Sequence, residues 1–172
     1  MTYRLDTLRS HVAFSVRHVG GRVHGSFTRV AGEVSFDPTH PEATAVRVTI
    51  QSASVATHHE LRDARLRSAG FLDARTFPEI TFVSTAARRS GRQLMLTGEL
   101  AIRGVGRPVT VTVGRVRTRD GQGGRGTRIA AVARAQLRRS DFGVGPSTAL
   151  DGGGLLIGDE IAVDMDLELS PA

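Results

Sequence analysis

The chain has 172 residues, 40% hydrophobic and 23% charged, the balance of a globular protein large enough for one domain with a real core. It contains no cysteine, which excludes disulfides, thiolate metal sites and a cysteine nucleophile. Net charge is +6 and every one of the 23 basic residues is arginine. Arginine forks suit phosphate, but these are spread along the chain without a dense basic block.

The first stretch, MTYRLDTLRSHVAF, has no apolar signal-peptide core, and no apolar run approaches the roughly 20 residues that span a bilayer. The expectation is a soluble cytoplasmic protein. Residues 3–19 read as the first strand, with Val12, Phe14 and Val16 on one parity. Gly20-Gly21 turns the chain, and Val23, Gly25 and Phe27 follow. Val34 and Phe36 share the buried face of the next strand. Asp37-Pro38 and His40-Pro41 mark a turn, after which Val46, Val48 and Ile50 alternate with Arg47 and Thr49.

Residues 57–82 break this rhythm. Leu61, Ala64 and Leu66 have a helical spacing, and Thr57-His58-His59-Glu60 fits a capping box. Ser68 and Asp73 suit a second short turn around Phe71-Leu72, and Pro78 ends the excursion before Ile80-Thr81-Phe82 resumes alternation.

Ser90-Gly91 marks a hairpin, and Leu94, Leu96, Gly98, Leu100 and Ile102 form a long inward set. Gly104, Gly106 and Pro108 are expected to break that strand, with Val109, Val111 and Val113 following. Residues 118–128 read as a polar, glycine-rich loop. Ile129, Ala131, Ala133, Ala135 and Leu137 are small for an inward face. Residues 141–158 are irregular, with Gly152-Gly153-Gly154 read as a turn, and Ile161, Val163, Met165, Leu167 and Leu169 close the chain.

Eight or nine strands at hairpin spacing with one helical insert predict an all-β fold, a single domain over residues 1–172. Such alternation belongs to antiparallel sheets with one wet face, and closing the sheet into a barrel removes its edges. An eight-stranded barrel holds packed side chains or one small ligand. With Phe 7, Tyr 1 and Trp 0, a cavity is favoured over a filled core. The inward set Phe14, Val16, Phe27, Val34, Phe36, Val48, Ile50, Phe82, Leu96 and Val111 would line it.

Chemistry-bearing patterns are sparse. The six histidines show no zinc-ligand spacing, and there is no nucleophile elbow, P-loop or dinucleotide fingerprint. No cofactor or metal is expected. His18 shares the parity of Phe14 and Val16, so it is an inward candidate or a hydrogen-bonded structural residue. Arg62 and Asp63 are adjacent on the helix and do not simply pair. Arg65 lies on the same helix, and for these three a solvated helix face and contact of one of them with a ligand head at the barrel mouth both remain open.

The chain resembles the YceI-like, polyisoprenoid-binding family along nearly its whole length. The matching stretches include Tyr3-Arg4-Leu5-Asp6 with Ser10, Phe14 and His18, Gly25-Ser26-Phe27, residues 32–38, and Arg62-Asp63-Ala64-Arg65-Leu66. Gly70-Phe71-Leu72-Asp73, residues 77–82, Gly98-Glu99-Leu100, Arg103-Gly104-Val105, Arg107-Pro108-Val109 and Gly158-Asp159-Glu160-Ile161 continue the match. The resemblance implies a lipocalin-like extended antiparallel barrel of about eight strands with a helix at one mouth. It also implies a long isoprenoid or similar apolar lipid inside and a homodimer. The family usually carries histidine where this chain has Arg9 and Arg65, a departure that suits a more anionic head or another ligand.

The leading expectation is therefore a carrier or store of a polyprenyl phosphate or isoprenoid quinone, with at most transient membrane contact and no nucleic acid. The runner-up is an enzyme using the same cavity on a polyketide or terpenoid, with His18 or Asp63 as acid–base. Nucleic-acid binding is a distant third, because no basic stripe interleaves with aromatics.

Overall fold

A computed structural model describes residues 1–121, 123, 126–146 and 157–172. Its strands close into an antiparallel barrel. β1 (Thr2–Leu5) and β2 (His11–His18) both pair with β11 (Ile157–Pro171), β1 with Leu169 to Pro171 and β2 with Ile157 to Asp166. They are two halves of one wall strand. The predicted continuous strand over 3–19 is interrupted because Asp6 turns the chain: its carboxylate accepts the Leu8 amide at 3.1 Å and its carbonyl accepts the Arg9 amide at 3.2 Å.

β3 (Gly21–Phe27) and β4 (Val30–Ser35) form a second broken wall strand, and β5 (Ala45–Gln51) with β6 (Val55–Ala56) a third. β7 (Glu79–Ser90), β8 (Gln93–Ile102), β9 (Val105–Asp120) and β10 (Thr127–Arg138) complete the ring of eight. Each wall strand is antiparallel to its neighbours, and the ring closes where β1 and β2 pair with β11.

Two strand limits differ from the sequence expectation. β9 runs straight through Pro108, which pairs opposite Glu99. It does so because the β9–β10 ladder stops at Thr112, leaving residues 105–111 paired on the β8 side only, and a proline fits such a local edge. At its other end β9 extends to Asp120, which pairs with Thr127, so much of the expected loop over 118–128 is ladder. The expected turn at Gly152-Gly153-Gly154 lies outside the described residues.

The alternation read from the sequence points apolar side chains into the barrel, where they form three contiguous clusters along its length. Glycines sit where inward rings need room. A Cβ on Gly98 would lie 2.6 Å from the Phe82 ring and 2.5 Å from the Val83 carbonyl oxygen.

β6 is only two residues long and pairs with β3, not with β7. The gap this leaves at one end of the wall is filled by residues 57–78. They contain the helix α1 (Glu60–Arg67). Thr57 is not its cap. The helix begins at Glu60, and His59 is the N-cap, its Nδ1 accepting the Arg62 amide at 3.2 Å. Thr57 is instead buried against α1, which places its hydroxyl beside Asp63 rather than at the helix start. Ser68 closes the helix, its amide bonded to the Arg65 carbonyl at 3.1 Å. Phe71 and Leu72 then turn inward and, with Phe142 from the turn Arg139–Phe142, form the apolar floor of the helix end.

Candidate functional site

The barrel encloses an apolar cavity of about 400 Å³. That lies within the roughly 300–1,000 Å³ of small-molecule sites. Its lining includes the inward residues of β10 from Ile129 to Leu137. Eight residue steps at about 3.3 Å span roughly 26 Å of strand. At a typical barrel tilt of roughly 35–45° this is roughly 20 Å along the axis, so the space is long and narrow.

Small side chains on β10 create it. Ala131, Ala133 and Ala135 face inward where larger residues would meet the opposite wall. Phe14, Phe27, Val34, Val48 and Val111 all point inward yet are only half-buried, because their inner surfaces face the lumen. Phe14 and Phe27 are diagonal neighbours on β2 and β3 with ring centroids 5.6 Å apart, tilted at 46°.

Twelve of the thirteen residues singled out from the sequence lie on this wall. Phe14, Val16 and His18 come from β2, Phe27 from β3, and Val34 from β4 with Phe36 just beyond it. Val48 and Ile50 come from β5, Phe82 from β7, Leu96 from β8, Val111 from β9 and Arg62 from α1. Asp63 does not reach the cavity. Its carboxylate is turned to Thr57, accepting the Thr57 amide at 2.9 Å and the Thr57 hydroxyl. Partial burial acts to raise the Asp63 carboxyl, but the two Thr57 hydrogen bonds and the Arg67 and Arg62 charges outweigh it and hold it below 3.8.

Arg62 joins the same clasp from the other side. Its Nε donates to the Thr57 hydroxyl oxygen at 2.8 Å and its Nη2 to the Thr57 carbonyl at 3.0 Å. So Arg62 and Asp63 do not pair with each other but converge on Thr57, which fixes the guanidinium at the cavity edge.

Two further arginines line the helix end: Arg65, marked in the sequence by its departure from the family's histidine, and Arg139, which was not singled out. Arg65 is exposed and stands over the Phe71 ring, 5.6 Å from its centroid, in cation–π range. Arg139 is 6% exposed and donates to four backbone carbonyls: Val144 at 3.0 Å, Pro146 at 3.1 Å, Ile157 at 2.9 Å and Gly158 at 2.8 Å. It therefore ties the Arg139–Phe142 turn to the start of β11. A sequence signal for Arg139 existed, since it continues the inward parity of Ile129 to Leu137.

The cavity reaches the surface among His18 and Arg65 at the helix end, both exposed, and beside the exposed Val116 at the far end. Chemically, the arrangement is an apolar tube with cationic groups at one mouth.

The model of the YceI-like domain family matches residues 3–169 of this chain. The chain is 36% identical over 145 residues to protein YceI of Escherichia coli O157:H7, covering 83% of this chain and 75% of that protein. It is 37% identical over the same span to protein YceI of Salmonella arizonae. Among solved structures, Burkholderia cenocepacia BcnA superposes with a TM-score of 0.82 at 27% identity, covering 95% of this chain and 98% of that one. A domain of Saccharophagus degradans, described as a polyisoprenoid binding domain implicated in plant cell wall breakdown, superposes with a TM-score of 0.69 at 16% identity, covering 99% of this chain and 98% of that one.

Proposed function

The chain belongs to the YceI-like domain family, and from that premise we propose that it binds a long-chain isoprenoid lipid, a polyprenyl phosphate or an isoprenoid quinone, for storage or transport. The observation that carries this reading is the cavity itself: long, narrow, apolar along its walls and polar at one mouth. At 16% identity the likeness to the Saccharophagus domain speaks to fold, and within this barrel the apolar shape and lining support a long apolar chain as occupant. Burying apolar carbon yields roughly 0.8 kcal/mol per CH₂, so one five-carbon unit contributes about 3–4 kcal/mol before costs. Several units would pass the practical affinity ceiling of roughly 18–21 kcal/mol, and the excess is offset by chain ordering and imperfect contact. Tight, slowly released binding is the natural result.

The competing enzyme reading relied on His18 or Asp63. Asp63 is engaged by Thr57, and no aspartate or glutamate stands among the described lining residues. That leaves the cavity short of an acid–base pair, and a binding protein is the better reading. In solution we expect a homodimer, because no other element covers the outer faces of the barrel among the described residues and two-fold pairs are the commonest soluble oligomer. Membrane contact would be transient, for loading and release.

Organic extraction and mass spectrometry of purified protein tests the carrier reading. A long-chain isoprenoid in stoichiometric amount supports it. Folded protein that carries no lipid, and that neither binds added polyprenyl lipids nor melts higher with them, would sink it in favour of the enzyme.

A further inference from the structure

Among the described residues, five that line the cavity have polar side chains: His18, Thr44, Arg62, Arg65 and Arg139. Thr44 is at the far end, its hydroxyl donating to the Pro41 carbonyl. The other four gather at the helix end, and three of them carry a permanent positive charge.

Those charges are not neutralised by direct pairing. Among the described residues, the carboxylate partners within 4.0 Å of an arginine belong to Arg4, Arg9 and Arg134. The neighbouring acids are engaged elsewhere, Asp63 by Thr57 and Asp159 by the Ser140 amide at 2.9 Å and hydroxyl at 2.7 Å. Those acids temper the field but present no carboxylate to the lumen.

Donors are also left over. A guanidinium has five N–H groups. Arg139 uses four on carbonyls, Arg62 uses two on Thr57, and the Arg65 guanidinium makes no hydrogen bond to the described residues. Arg62 and Arg65 are three residues apart on α1 and so share one helix face. Both line the cavity, Arg62 half-buried at its edge and Arg65 exposed at its mouth.

We propose that this mouth selects lipids with an anionic, phosphate-type head over the same chain ending in a neutral alcohol or quinone, with Arg62 and Arg65 as the head-binding residues. Arg139, locked by its four carbonyls, supplies a fixed positive charge behind them. The inference rests on the reading of the cavity as a site for a long apolar chain, and it chooses between the two head classes that reading allows. A neutral head would leave two adjacent guanidiniums facing it with donors it can satisfy only in part. A phosphate monoester offers charged acceptors matched to the fork geometry of arginine.

The test compares geranylgeranyl phosphate, geranylgeraniol and inorganic phosphate by titration calorimetry on delipidated protein. The phosphate ester should bind about tenfold tighter than the alcohol or better, with inorganic phosphate far weaker than either. Arg65→Gln is the clean variant, because Arg65 holds no other part of the protein by hydrogen bond among the described residues. It should lower affinity for the phosphate ester about tenfold, leave affinity for the alcohol unchanged, and keep the melting temperature of the unliganded protein; Arg65→Lys should recover part of the loss. Equal affinity for ester and alcohol would overturn the head selectivity while leaving the carrier reading standing. An equal loss for both ligands in Arg65→Gln would do the same. Inorganic phosphate binding as tightly as the ester would overturn it by making the site one for free anions. If neither prenyl compound binds, this proposal and the carrier reading fall together.

Discussion

Asp63 on α1 holds Thr57, the residue just after the wall strand β5–β6, by accepting both its amide and its hydroxyl. This clasp, with Arg62 bonded to the same hydroxyl oxygen and to the Thr57 carbonyl, is how the helix is fixed to the barrel. Thr57→Val keeps the shape and deletes the hydroxyl. It should cost about 1–2 kcal/mol, since one bond to a charged carboxylate and one from a guanidinium are lost in a partly buried place. A double-mutant cycle with Asp63→Asn, read by urea denaturation, should show coupling of about 1 kcal/mol. Strict additivity of the two substitutions would mean the clasp does not act as a unit.

The same carboxylate sets a pH dependence. The Asp63 carboxyl is held below the ordinary aspartate value in the folded protein, so its contribution is full above the unfolded value and is lost as pH falls through the folded one. The amide that replaces it in Asp63→Asn cannot titrate. The stability gap between wild type and this variant should stay constant from about pH 8 to pH 5 and close below about pH 4. Asp159 is held low mainly by the Ser140 hydroxyl against the opposing effect of burial, and it is common to both proteins, so it cancels. A gap that persists unchanged to the acid-unfolding limit would contradict the assignment.

The barrel was legible because one face of every strand is apolar and the other is wet. A parity argument on Val12, Phe14 and Val16 needs no tertiary information, and it also carried His18 to the wall of the cavity. Where an element's state depends on its neighbours, parity was silent. Pro108 stays in β9 only because β10 has already stopped pairing there, which no local pattern reveals. Thr57 carries the right spacing for a capping box, but burial against α1 gave its hydroxyl a different partner. Arg139 continued the inward parity of β10, yet its meaning comes from the carbonyls of Val144, Pro146, Ile157 and Gly158.

Arg139 should accordingly be a stability residue as well as a charge. Arg139→Met fills similar space and leaves four carbonyls without their donor. A cost of about 3 kcal/mol or more is expected, because each buried acceptor left unpaired loses its share of roughly 1–3 kcal/mol even after partial relaxation. Arg139→Lys retains the charge and three donors, and should recover part of it. A midpoint in urea unchanged from wild type in Arg139→Met would show that water replaces the guanidinium without loss.

Val111 offers the sharpest test of what fills the tube. It is half-buried, faces inward on β9 opposite Leu96, and lies in the stretch of lumen lined by small β10 residues such as Ala131 and Ala133. Val111→Trp would send an indole into the lumen rather than into packed core, so the usual overpacking cost of about 1–3 kcal/mol should shrink toward zero. The same indole would block a long chain partway along its path. The variant should therefore keep the melting temperature of delipidated wild type, lose the lipid found by extraction, and fail to gain stability from added polyprenyl lipid. Mouth chemistry would be untouched, because Arg62 and Arg65 lie at the helix end and Val111 does not. Short prenyl chains should still bind near the mouth while long ones are excluded, and affinity against chain length should level off in Val111→Trp where it keeps rising in wild type. If long chains bind the variant as tightly as the parent, the lipid does not run along the barrel axis and the site must be sought at the mouth alone.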